Sequence, residues 1–420
     1  MNNKLNFKKE EGVTILEITP DSYDVARIQM TVLLPRFLKA PYLIPGFLAD
    51  MLTRGSVRYS KTAYTEKLEF LGAQVSLSTE GRYFHVTVTT REEALLEVLA
   101  ILTDTLTHPL FLPIEIESLR KEYLQALHEE QDNARGLSYA LFTRQIYDEQ
   151  SPYYIPTLPE QQRELKLITT KLLSEAHETM RSSPWTVSMA TSPKAAAALR
   201  TCIKKIHIEV PGQKDAMVTG EIAPKKTELQ LVPEKQNIEF FIGNRLPLTL
   251  TDAEFLAFSV GLDVLGKRGG FVGRLMSIVR EKEGLTYSIY AWIKNTTTTT
   301  HGLWHIWTFF TPKDTPKGIS STLREIKKIS EKGITEIDLA RFKELLCNQF
   351  LLAHESMRSV LSLYHAGITS GRTPEDIQSY PERVKRLTRV EVNRALKRYM
   401  KPESLVITGA GPTDKLVEKI

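Results

Sequence analysis

Apolar and polar residues alternate most cleanly at 74–79 and 83–89, two runs joined across Glu80-Gly81-Arg82, and this pattern predicts a β-hairpin. Further strands are expected at 13–18 and 27–34. Helical spacing marks 42–54, then 62–71 ending at Gly72, then about 91–107 and 113–133. The second half follows the same plan, with a strand at 237–243, helices at 251–264 and 270–282, a hairpin over 285–311, and helices near 315–331 and 335–370.

The plan reads as a duplication, weak in identity but consistent in order. Glu115-Ile116-Glu117-Ser118-Leu119-Arg120 opens a long helix, and Glu336-Ile337-Asp338-Leu339-Ala340-Arg341 opens its counterpart. Each half closes on an apolar strand bounded by proline, at Thr186-Val187-Ser188-Met189 before Pro193 and at Leu405-Val406-Ile407-Thr408 before Pro412. The expected fold class is α+β, with two homologous half-chain domains, each an antiparallel-rich sheet covered on one face by helices. Domains are expected at 1–207 and 235–420. Pro211-Gly212 and Pro224-Lys225-Lys226 break the periodicity and place a linker at 208–234.

Size and composition narrow the chemistry. A chain of 420 residues with 42% hydrophobic and 25% charged residues suits a globular protein of two cores. The net charge of +5 is small and spread out, which argues against nucleic acid as a partner. No apolar run approaches the ~20 residues that span a bilayer, and the first residues lack the apolar core of a secretory signal, so a cytoplasmic location is expected. Cys202 and Cys347 lie in different halves without a C-x-x-C pair and read as free thiols. No G-x-S-x-G elbow or Cys/His arrangement points to another nucleophile. His301 and His305, four apart and without an acidic third ligand in view, read as packing or surface residues.

The stretch Pro45-Gly46-Phe47-Leu48-Ala49-Asp50-Met51-Leu52-Thr53-Arg54-Gly55-Ser56 resembles the helix that carries H-x-x-E-H in the pitrilysin/insulinase peptidases, the inverzincins. On that frame Gly46 and Asp50 stand at the two histidines and Ala49 at the glutamate. The family's third ligand lies on a later helix, about six residues before an acidic ending. Here Leu124-Gln125-Ala126-Leu127-His128-Glu129-Glu130-Gln131-Asp132-Asn133 puts Ala126 there. Glycine and alanine offer no donor atom, and a lone aspartate makes a poor zinc site. No catalytic metal is expected on this chain. His128, Glu129 and Glu130 read as a solvated helix face rather than substitute ligands.

The resemblance extends along the chain through Leu71-Gly72-Ala73 and Pro109-Leu110-Phe111. Its most specific part is Gly269-Gly270-Phe271-Val272-Gly273-Arg274-Leu275 followed by Arg280-Glu281-Lys282-Glu283-Gly284-Leu285-Thr286-Tyr287-Ser288. There the glycines start a helix, Gly284 suits a left-handed cap, Arg280 falls in the last turn and Tyr287 begins a strand. The resemblance implies that Arg280 and Tyr287 hydrogen-bond a bound peptide across from the zinc, where a guanidinium and a phenol suit a carbonyl gaining negative charge. A surface Arg–Glu pairing and a Tyr packed in the sheet stay open beside it. The chain is thus similar to the non-catalytic, Arg/Tyr-type subunit of small processing-peptidase-like pairs. That implies a heterodimer with an H-x-x-E-H homologue that holds the zinc, and a peptide substrate added as a strand along a sheet edge. A structural or peptide-binding scaffold, as a homodimer or a complex core subunit, is the alternative.

Overall fold

The computed structural model describes residues 4–10, 12–34, 42–81, 83–149, 151–208, 227–267 and 272–413. The chain divides into two compact units, one of residues 1–126, 158–216 and 352–377, the other of 127–157, 217–351 and 378–420. Chain halves and packed units are therefore not the same sets of residues.

Unit 1 is built on strands β1 (Leu5–Glu10), β2 (Val13–Ile18), β3 (Val25–Leu33), β4 (Gln74–Glu80), β5 (Tyr83–Arg91) and β6 (Trp185–Ala190). They lie in the order β1-β2-β6-β3-β5-β4, with β2 and β6 parallel and the other neighbours antiparallel. The β4–β5 hairpin is the one expected from alternation, and Gly81 takes φ +57° at its turn. Ala26, Ile28, Met30 and Val32 of β3 point to one buried face. Its helices are α1 (Ile44–Leu52), α2 (Lys61–Phe70), α3 (Leu95–Thr107), most of α4 (Pro113–Glu130), α6 (Leu158–Leu165), α7 (Thr170–Ser182), α8 (Pro193–Ile206), α12 (Met357–Thr369) and α13 (Pro374–Gln378).

Unit 2 repeats the sheet with β7 (Thr227–Leu231), β8 (Ile238–Leu246), β9 (Ile289–Lys294), β10 (Gly302–Phe310) and β11 (Val406–Gly411). Their order is β7-β11-β8-β10-β9, with β7 and β11 parallel, so every strand of unit 1 except β1 has a counterpart. The duplication is thus carried by topology. β7 falls inside the stretch expected as linker: Thr-Glu-Leu-Gln-Leu alternates well enough to pair at a sheet edge, whereas 209–226 lie outside the described residues. Helices α9 (Phe255–Gly266), α10 (Thr315–Lys332), α11 (Glu336–Leu352), α14 (Tyr380–Arg386) and α15 (Arg389–Tyr399) belong with this sheet, and Phe240 and Ile242 share a core with Phe258 and Leu396.

One helix of each half serves the other half's sheet. α5 (Ala134–Ile146) packs on β8 and β11, where the Thr408 hydroxyl donates to Ser138 O at 3.0 Å and the Ser138 hydroxyl to Thr408 O at 3.2 Å. Phe142 and Tyr139 there surround His305, which is fully buried against Phe241 and Trp292. α12 packs on β3 and β6 in unit 1, where His365 meets Thr31 Oγ1 at 2.7 Å and Ser188 Oγ at 2.9 Å. The strand registers make Ser188 the counterpart of Thr408, and His85, bonded to Thr31 at 2.9 Å, the counterpart of His305. Helical residues expected as one stretch at 335–370 are two helices. The break at 353–356 frees Ser356 to cap α12, its hydroxyl accepting from Ser359 N at 3.2 Å.

Candidate functional site

α1 is apolar on nearly every side, with Ile44, Phe47, Leu48, Ala49, Met51 and Leu52 buried and Asp50 exposed. Its start is fixed by Pro45 rather than by a capping side chain, and Gly55 takes φ +140° just past its end. Asp104, buried on α3, then gathers the turn by accepting from Ser56 Oγ at 2.6 Å and Arg58 N at 3.1 Å. Arg54, only 8% exposed, ties α1 to α4 through Glu115 at 3.3 Å and Glu122 at 2.6 Å. That guanidinium's hydrogen bond holds the Glu122 carboxyl below its usual range.

The space between α1 and α4 is filled by a side chain that sequence reasoning missed. The Tyr123 hydroxyl donates to Asp50 Oδ2 at 2.7 Å, and its ring lies 5.1 Å, centroid to centroid, from Phe47. A Cβ added at Gly46 would meet the Tyr123 hydroxyl oxygen at 3.1 Å and Thr79 Oγ1 at 3.5 Å. Burial, reinforced by the Asp50 carboxylate, raises the Tyr123 pKa and keeps the phenol protonated. Tyr123 precedes the exposed Ala126 by three residues, one turn earlier on the same helix face, and that spacing is the signal that could have found it.

These residues do not fit a catalytic zinc. Gly46, Ala49 and Ala126 carry no ligand atom, Asp50 is engaged by Tyr123, and the room beside Gly46 is taken by a phenol. Among the described residues no group of three or more His, Cys, Asp and Glu side chains is arranged to hold a metal ion. His128 and Glu129 are exposed, while Glu130 accepts from Asn133 Nδ2, and Asn133 Oδ1 caps α5 by accepting from Gly136 N at 3.0 Å.

The Arg280 and Tyr287 region lies in unit 2. Helix 270–282 was expected to be regular from its glycines onward. Residues 268–271 lie outside the described ones, the helical backbone begins at Arg274, and Met276–Lys282 is π-helical. Glu283 N accordingly bonds Ile278 O, five residues back, and this wider turn carries the half-buried Arg280. Gly284 takes φ +65° as expected for the cap, with Gly284 N on Arg280 O at 3.0 Å. Burial alone would raise Glu283, but hydrogen bonds from Ser321 Oγ at 2.5 Å and Arg324 Nη2 at 2.7 Å outweigh it and hold the carboxyl low. Tyr287 does not begin the strand, which starts at Ile289; it stands between buried Thr286 and half-buried Ser288 and is itself 82% exposed. The Thr286 hydroxyl, donating to Ser288 O at 3.1 Å and accepting from Ser288 N at 3.3 Å, fixes this corner.

His301 is exposed before β10, and Cys202 and Cys347 are half-buried free thiols. Among the described residues no helix is long and apolar enough to cross a membrane.

Comparison with known proteins bears on these two regions. The family description "Insulinase (Peptidase family M16)" matches residues 45–150, which contain α1 and α4, and "Peptidase M16 inactive domain" matches 168–346, which contain Arg280 and Tyr287. A relative from Helicobacter pylori, named "Non-peptidase homolog YmxG", is 20% identical over 83% of this chain and 80% of its own. The fold is shared with an M16 inactive-domain structure from Pseudomonas fluorescens, with a TM-score of 0.86 and 18% identity, covering 98% of this chain and 99% of that one. It is shared too with a structure described as a protease from Helicobacter pylori, with a TM-score of 0.82 and 14% identity over 97% and 99% of the chains. With both halves matched and the fold spanning the whole length, the chain belongs to the insulinase family of M16 peptidases, on its non-catalytic side.

Proposed function

We propose that the chain is the non-catalytic subunit of a zinc-dependent peptidase heterodimer, working in the cytoplasm beside a homologous subunit that bears H-x-x-E-H. The observation that carries this reading is Tyr287, a tyrosine 82% exposed at a corner fixed by Gly284 and Thr286. A large apolar ring with one polar tip suits a surface that meets a ligand. The partner supplies the metal. This chain supplies Arg280 and the Tyr287 phenol as donors that orient a peptide carbonyl and stabilise charge developing on its oxygen.

The test begins with the purified chain, which is expected to contain no stoichiometric zinc and to cleave no peptide. Addition of the H-x-x-E-H homologue restores turnover, and Arg280→Ala or Tyr287→Phe lowers kcat/KM by about tenfold to a hundredfold, the effect of losing one such donor. Full turnover in both variants refutes the role. The relative named a non-peptidase homologue favours a second reading, a structural or peptide-binding scaffold that forms a homodimer. That reading predicts self-association and peptide binding with no activity in any mixture.

A further inference from the structure

A separate groove of about 700 Å³ opens at the β4 edge of the unit 1 sheet. Part of its wall is the sheet face that α12 covers. Register places Arg27 and Gln74 opposite Thr89, and Gln29 and Ser76 opposite Thr87, so these side chains share that face. Arg358, in the first turn of α12, joins them, and Tyr64 and Leu68 of α2 add an apolar wall. The lining also holds Lys61 and one carboxylate, Glu69.

Arg27 Nε is buried and has no acceptor among the described protein groups. Arg358 likewise forms no ion pair or hydrogen bond with a described residue. Buried N–H groups in folded proteins are almost always satisfied, and two guanidiniums lining one groove without a carboxylate partner favour an anion. The N-terminal end of α12 adds partial positive charge beside Arg358. Ser76, Thr87, Thr89 and Gln29 supply further neutral donors. A volume of this size with an apolar wall exceeds what a bare ion fills and falls in the range of organic ligand sites.

We propose that the groove binds a carboxylate-bearing organic ligand whose carboxylate is held by Arg27 and Arg358. The planar fork of arginine matches a carboxylate through paired N–H donors. The carboxylate is that of a free organic acid or of an acidic peptide side chain, and the two sources separate by probe.

The full chain is titrated calorimetrically with glutarate, with a glutamate-rich hexapeptide, with its glutamine counterpart, and with inorganic phosphate. Binding of glutarate assigns the free acid. Binding of the acidic hexapeptide alone assigns the peptide. In either case Arg27→Gln and Arg358→Gln each weaken binding by about tenfold or more, the loss of one charge-assisted hydrogen bond. Arg358 is exposed, so its variant keeps the test decisive if Arg27→Gln fails to fold. Tighter binding of phosphate than of either carboxylate probe overturns the assignment. So does equal binding of the glutamine peptide, unchanged affinity in both variants, or no binding of any carboxylate probe at millimolar concentration.

Discussion

With the Tyr123 hydroxyl beside Gly46, introducing metal ligands alone will not make a metal site. The perturbation is the quadruple change Gly46→His, Ala49→Glu, Asp50→His and Ala126→Glu, which rebuilds H-x-x-E-H and the third carboxylate. A Cβ at Gly46 comes within 3.1 Å of the Tyr123 hydroxyl, closer than ordinary van der Waals contact, and an imidazole extends from it into the same interhelical space. Loss of the Asp50 carboxylate also removes the acceptor that Tyr123 uses at 2.7 Å. Overpacking of this kind costs about 1–3 kcal/mol. If that cost falls on the metal-bound state, it equals roughly 5- to 150-fold in zinc affinity. Adding Tyr123→Ala to the four changes is therefore expected to strengthen zinc binding by that factor, measured by competition with a chromophoric chelator and by metal analysis after gel filtration. Equal zinc affinity with and without Tyr123→Ala refutes the reasoning.

Three other outcomes follow from the geometry. His365, pushed down to about 3, and His177, pushed down to about 4, owe their shifts first to burial, so between pH 6.5 and about 4 the unfolded chain binds protons that the folded chain refuses. Stability is thus whole well above pH 6.5 and falls with acid by roughly 2.5 kcal/mol per histidine at pH 4.5, and His365→Asn flattens the slope seen in denaturant titrations across that range. Asp104→Ala leaves the Ser56 and Arg58 donors without their buried acceptor and costs about 2–3 kcal/mol, read as a lower urea midpoint; a change within 0.5 kcal/mol counts against that role. Gly284→Ala meets no steric neighbour but forces a Cβ onto φ +65°, so it lowers stability by about 1 kcal/mol and alters the accessibility of Tyr287 to nitration.

Sequence pattern was most informative where local chemistry decides the structure. The hairpin of β4 and β5 follows from strict alternation with a glycine at the turn, and α1 follows from its apolar run behind Pro45. β1 escaped notice because Leu5–Glu10 is mostly exposed and charged, and β7 because a short edge strand resembles a polar loop. Donorless positions at Gly46, Ala49 and Ala126 needed no structure to be seen. Tyr123 needed one, since its meaning depends on the approach of two helices rather than on its neighbours in the chain. Amphipathic spacing marks a buried face on α12 and almost none on α5, and for neither helix does it say which sheet is covered. The π-turn at Arg280 left no mark in composition, because it adds a residue to the turn without changing residue type.

The exchange of α5 and α12 makes synthesis order matter. The bond of Thr31 to His365 spans 334 residues and that of Ser138 to Thr408 spans 270. A nascent chain therefore cannot cover one face of its first sheet until α12, nearly at the end of the polypeptide, has left the ribosome, and closing such long loops is entropically slow. Cutting the gene at the midpoint would yield fragments that each display an uncovered sheet face and carry a helix belonging elsewhere. The two fragments should be recovered in folded form when co-expressed and should aggregate when made apart.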